Sequence, residues 1–164
     1  AGIAIDDADI IEGLSHVTEL TGLHGRWELM ERNPLVIADT GHNEAGIRYN
    51  MEQLARVLAR RREKDPGTAL RMVIGFVADK DIEHIIGLFP EDATYYLTNA
   101  SIPRALPVDR LLPYFSNRGL KATAYPDVAT AFKAAHADAS PNDIVYVGGS
   151  TFIVADYLAS RRKE

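Results

Sequence analysis

Cysteine is absent from the 164 residues, which excludes disulfides, thiolate chemistry and cysteine-ligated metal centres and fits a reducing, cytoplasmic setting. No apolar run is long enough to span a bilayer, and no basic-then-apolar signal segment stands at the start, so no membrane partner is expected. A surplus of positive charge is also missing. The net charge of -5 argues against a dedicated nucleic-acid binder, although it leaves room for a local basic site for a phosphate. There is no GxxxxGK[ST] loop, no GxGxxG after the first strand and no nucleophile elbow, so the chain lacks visible equipment for phosphoryl transfer or Ser-His-acid chemistry. His16, His24, His84 and His136 share no metal-ligand spacing; they read as surface or packing residues, and no metal site is expected. The chain opens on Ala1 in place of a methionine, which suggests an excised fragment.

What is present suits one soluble domain with an ordinary share of apolar and charged residues. The stretch Leu35 to Gly46 organises the rest. Leu35, Val36, Ile37 and Ala38 make the short apolar run of a strand buried on both faces, and Asp39 closes it. Thr40, Gly41, His42 and Asn43 are turn and cap formers, and Asn43 is placed to accept from the free N–H groups of a helix. That helix has an apolar stripe at Ile47, Met51, Leu54 and Leu58.

Around this stretch, strand and helix alternate. Ile5 to Leu20 reads as one amphipathic helix, with Ile10, Ile11, Leu14, Val17 and Leu20 on its apolar face and acids in its first turn. Arg26 to Glu31 alternates as a short strand should, with Trp27 as a core or edge anchor. Further strands are expected over Leu70 to Val77, Ala93 to Thr98, Lys121 to Tyr125 and Asp143 to Val147. Helices are expected from Ile82, over Val108 to Asn117, over Val128 to Ala137 and over Thr151 to Ser160. This order predicts an α/β fold, a Rossmann-like three-layer domain whose mostly parallel sheet is flanked by helices.

Ligands of such sheets sit beyond the carboxyl ends of the strands. Three polar groups are expected at that edge: Asp39 with His42, Asp79 with Lys80, and Gly149 with Ser150. An ionised carboxylate that can accept twice suits a ribose hydroxyl pair, which makes Asp39 a nucleotide candidate, unless Asp39 merely caps the turn and His42 merely packs. Lys80 supplies a compact charge for a phosphate or carboxylate, or else stands solvated between two acids. Gly148, Gly149 and Ser150 lead into a helix whose free N–H groups can hold an anion. Arg26 either reaches a phosphate or is a surface arginine.

The series Gly25-Arg26-Trp27-Glu28, Val36-Ile37-Ala38-Asp39-Thr40-Gly41-His42-Asn43, Gly75-Phe76 through Asp79-Lys80-Asp81, and Gly149-Ser150 resembles the C-terminal domain of folylpolyglutamate synthetase and dihydrofolate synthase, in the Mur ligase superfamily. The resemblance divides the chain into an entering helix and linker, residues 1–24, and a Mur-ligase-type C-terminal domain, residues 25–164. It implies an ATP-dependent amide ligase that adds L-glutamate to folate or dihydropteroate through an acyl phosphate. ATP and Mg2+ would be the cofactors, the Mg2+ held mainly by an N-terminal ATPase domain that is the chain's partner and without which it is inactive. By position, Arg26 matches the arginine near the ATP phosphates and Asp39 the aspartate on the ribose. His42 matches the histidine of the D-x-x-H-N-P turn on the nucleotide side of the cleft and is the catalytic candidate. Asn43, Lys80 and Ser150 fall on the substrate side, Lys80 and Ser150 matching positions that hold the incoming amino acid's carboxylates in related ligases. Glu44 departs from the pattern by standing where the family has proline, an acid that suits the helix dipole but faces any phosphate nearby. Rival readings are another Mur-type ligase, for a peptidoglycan precursor or cyanophycin, and a non-catalytic nucleotide-binding α/β module.

Overall fold

The computed structural model describes residues 4–162; residues 1–3 and 163–164, which the expected division assigns to its two ends, lie outside the described residues. Six strands form one sheet in the order β1-β2-β6-β3-β4-β5, comprising β1 (Glu28–Arg32), β2 (Leu35–Ala38), β3 (Leu70–Ile74), β4 (Thr94–Leu97), β5 (Lys121–Ala124) and β6 (Ile144–Gly148). β2 to β6 run parallel, and only β1 pairs antiparallel, joined to β2 by a tight turn. The expected three-layer, mostly parallel architecture is therefore present.

Alternation along the strands explains the layers, because successive side chains point to opposite faces. Ile37, Met72, Ile74, Tyr95 and Tyr146 face one core, completed by α3 (Glu44–Arg62), the single-turn α4 (Ile82–Ile85) and α5 (Val108–Ser116). Val36, Ala38, Val73, Tyr96 and Val147 face the other, completed by α6 (Val128–Ala137) and α7 (Thr151–Arg161). The chain steps from β2 through β3 and β4 to β5 with its helices on the first face. It then returns over the second face through α6 and inserts β6 between β2 and β3. The helices that follow β2 and β6 thus leave on opposite faces, which opens a crevice at the carboxyl ends of these strands.

Two expectations change. Ile5 to Leu20 is not one helix: α1 (Asp7–Ser15) ends at His16, and α2 (Val17–Thr21) is a separate short turn closed by Gly22 at φ 69°. Neither helix contains a buried residue, because nothing among the described residues covers the stripe; Ile11 is 65% and Leu14 70% exposed. β3 stops at Ile74 instead of running to Val77. A side chain at Gly75 would strike the Thr98 carbonyl and Ile153, so only glycine fits where the chain leaves the ladder, and Phe76 and Val77 stay buried beyond it.

Candidate functional site

At the crevice the ends of β2, β6 and β3 lie side by side: Ala38 pairs with Val147, and Ile74 with Gly148. The three expected groups, Asp39 with His42, Gly149 with Ser150, and Asp79 with Lys80, therefore follow strands that end on one rim. The rim is tight. Gly149 sits at φ 91°, where L side chains are rare, and a Cβ there would lie 2.7 Å from the Gly75 carbonyl oxygen.

Asp39 is 8% exposed and is engaged by its own chain. Its Oδ1 accepts from the Gly41 N–H at 2.7 Å and the Asn50 amide at 2.6 Å, while its Oδ2 accepts from the Trp27 N–H at 2.6 Å. A carboxylate has about four lone-pair sites, so one remains for a ligand. The bond to Trp27 stabilises an uncommon conformation, since Trp27 has φ 48°. One residue on, the Thr40 N–H donates to the Gly25 carbonyl at 2.8 Å. Asp39 and Thr40 together clamp the Gly25-Arg26-Trp27 turn to the end of β2.

Arg26 is exposed on that turn and makes no ion pair among the described residues. Lys80 is half-buried and likewise unpaired, although Asp79 and Asp81 flank it; Asp81 instead caps α4, accepting from the His84 N–H at 3.1 Å. His42 is exposed, with Nδ1 3.0 Å from the Thr40 carbonyl. A carbonyl only accepts, so that contact assigns the proton to Nδ1 and leaves Nε2 as the open nitrogen.

Asn43 and Ser150 both serve as helix N-caps. Asn43 accepts from the Gly46 N–H at 2.8 Å and Ser150 from the Ile153 N–H at 3.2 Å, which leaves the first N–H groups of α3 and α7 directed at the rim. Ser150 is 3% exposed, and its hydroxyl proton is not used in the cap. Glu44, the departure from the family pattern, turns to Arg48 at 2.6 Å and to His84 at 2.9 Å. The hydrogen bonds from Arg48 and then His84 hold its carboxyl below the usual range, so its charge is compensated at the edge of the site.

Sequence reasoning missed Asn50 and Tyr146. Asn50 interrupts the aliphatic stripe of α3 and is 3% exposed; its amide also donates to the Tyr146 hydroxyl at 3.0 Å. A buried polar residue inside an apolar stripe was the available signal. Among the described residues no three His, Cys, Asp or Glu side chains gather as a metal site, and no helix is long and apolar enough to cross a membrane. A surface groove of about 830 Å3 runs between α6 and α7, past Ser101, Asp127, Phe132 and Asp156, away from the β2 end of the rim.

Comparison with known proteins identifies the family and agrees with the fold. Residues 25–151 match the family described as Mur ligase, glutamate ligase domain. The chain is 33% identical over 133 residues to a probable bifunctional folylpolyglutamate synthase/dihydropteroate synthase of Haloferax volcanii, covering 80% of this chain and 15% of that protein. It is 27% identical over 159 residues to the dihydrofolate synthase/folylpolyglutamate synthase of Escherichia coli, covering 96% and 34%. A bifunctional folylpolyglutamate synthase/dihydrofolate synthase crystallised with Mn, AMPPNP and L-glutamate superposes with a TM-score of 0.77 at 28% identity, covering 98% of this chain and 36% of that one. The chain thus spans about a third of the length of the latter two and less of the first.

Proposed function

The chain belongs to the Mur ligase family, as its glutamate ligase domain, and on that premise we propose that it is the C-terminal domain of an ATP-dependent ligase that adds L-glutamate to folate or dihydropteroate. In this reading residues 1–24 enter the domain and residues 25–164 form it. The observation that carries the proposal is the rim at the switch point, where two cations, Arg26 and Lys80, stand without ion-pair partners among the described residues beside the capped starts of α3 and α7.

The residues present fit a nucleotide. Gly149 lets the turn into α7 pack against the Gly75 backbone, Arg26 supplies charge for the phosphates, and the remaining acceptor site of Asp39 takes a ribose hydroxyl. His42, whose Nε2 is left open by the Nδ1 contact, is the candidate for a direct role at the reacting groups. Lys80, with Ser150 and Asn43 at the helix starts, receives the carboxylates of the incoming glutamate. ATP supplies the phosphoryl group that activates the folate carboxyl as an acyl phosphate. Mg2+ is assigned to the ATPase domain by the family resemblance. Closure of that domain over the rim excludes water from an intermediate that hydrolyses readily, and accordingly the isolated chain is inactive.

Because the side chains of Arg26 and Lys80 make no hydrogen bond or ion pair among the described residues, their truncation tests roles with little disturbance of the fold. In the protein that joins this chain to its ATPase domain, Arg26→Ala is expected to raise the KM for ATP about tenfold, the loss of one charge-assisted contact. Lys80→Ala is expected to raise the KM for glutamate by a similar factor. Steady-state kinetics in which both variants shift both constants equally, or glutamate ligation by the chain alone, would contradict the assignment.

A further inference from the structure

We propose that Asn50 and Tyr146 are positioning residues that brace Asp39 from beneath and thereby fix the Arg26-Trp27 turn over the site. The brace crosses three elements: Asn50 on α3, Tyr146 on β6 and Asp39 at the end of β2, joined by bonds of 2.6 and 3.0 Å from a single amide nitrogen. Asn50 lies on the stripe otherwise formed by Ile47, Met51, Leu54 and Leu58, where an aliphatic residue would pack without the cost of burying an amide. Two glycines make room for it. A Cβ at Gly41 would lie 2.7 Å from the Asn50 amide nitrogen, and one at Gly148 would lie 2.5 Å from the Tyr146 hydroxyl oxygen. Burial, with the Asp39 charge nearby, holds the Tyr146 phenol protonated far above its usual range, so the brace stays neutral beside the carboxylate.

With Asn50 on Oδ1, the other carboxylate oxygen is aimed at Trp27, whose left-handed backbone that bond maintains. The pull of the brace therefore reaches Arg26 without Asn50 or Tyr146 touching a ligand. The consequence for ATP rests on the function proposed above; the effect on the turn does not. Trp27 is the one tryptophan of the chain and reports on the turn directly.

The test has two arms. In the 164-residue chain, Trp27 emission and its quenching by acrylamide are measured for Asn50→Leu, Tyr146→Phe and, as a control for general core damage, Leu54→Ala. Asn50→Leu is expected to redden the emission and raise quenching at least twofold, and Tyr146→Phe to do so less. Leu54→Ala is expected to lower the melting temperature with the Trp27 signal unchanged. In the joined ligase, Asn50→Leu is expected to raise the KM for ATP about tenfold while that for glutamate stays within twofold. A Trp27 signal in Asn50→Leu equal to the parent's, or the same signal change in Leu54→Ala, overturns the brace. A responding Trp27 with the KM for ATP unmoved in both Asn50→Leu and Arg26→Ala upholds the brace and overturns the nucleotide reading instead.

Discussion

Asp39 shows how much one side chain can hold together: three of its acceptor sites bind the turn and helix around it, and one acceptor site is left over. Its replacement would leave the Asn50 amide and the Trp27 and Gly41 N–H groups without their acceptor, so variants of Asp39 mix folding with binding, whereas Arg26 and Lys80 separate them. Away from the site, Tyr96 donates to Asp138 at 2.7 Å from within the sheet. Burial first, and that bond second, raise its pKa from 10.0 to about 12. The unfolded chain gives up this proton near pH 10 while the folded chain keeps it to about 12, so rising pH draws the equilibrium toward unfolding. Denaturation midpoints are expected to be unaffected by this group below pH 10 and to fall between pH 10 and 12; Tyr96→Phe should flatten that slope. An equally steep fall in the variant would contradict the assignment.

The two amphipathic helices read from the sequence behave differently in the fold. On α3, Leu54 is fully buried between sheet and helix, and Leu54→Ala is expected to cost about 2–5 kcal/mol. On α1, Leu14 is 70% exposed, and Leu14→Ser should change stability by no more than about 0.5 kcal/mol. Urea denaturation of both variants checks this, and comparable losses would mean that α1 packs where the structure leaves it open. Periodicity marks a stripe without saying whether anything covers it, and the Ile5 to Leu20 stripe has no cover among the described residues. The strands were legible because parallel strands buried on both faces are short apolar runs, as in Ile144 to Val147 and Leu35 to Ala38. The end of β3 was not, since Phe76 and Val77 are as buried outside the ladder as residues within it. The same limit applies to the site. Asp39, Lys80 and Ser150 were placed on one rim by strand order alone, whereas the Asn50 to Tyr146 contact joins residues 96 apart and leaves no local pattern.

Across the whole molecule, a single topological event makes the site: β6 inserts between β2 and β3, and the helices that follow β2 and β6 depart to opposite faces. The strand ends separate there from the helices that would otherwise cover them, and every candidate residue lies on a segment that follows or flanks those ends. The α1 stripe is exposed and the cations of the rim are unpaired among the described residues; on the function proposed above, a second domain would cover the rim. Where the ligand binds is the most direct test. Backbone amide shifts of this chain, followed in the joined ligase during titration with AMPPNP and L-glutamate, should move most at residues 26–27, 39–43, 79–80 and 148–151. A silent rim, with the shifts gathered instead at Ser101, Asp127 and Asp156 in the groove between α6 and α7, would contradict it.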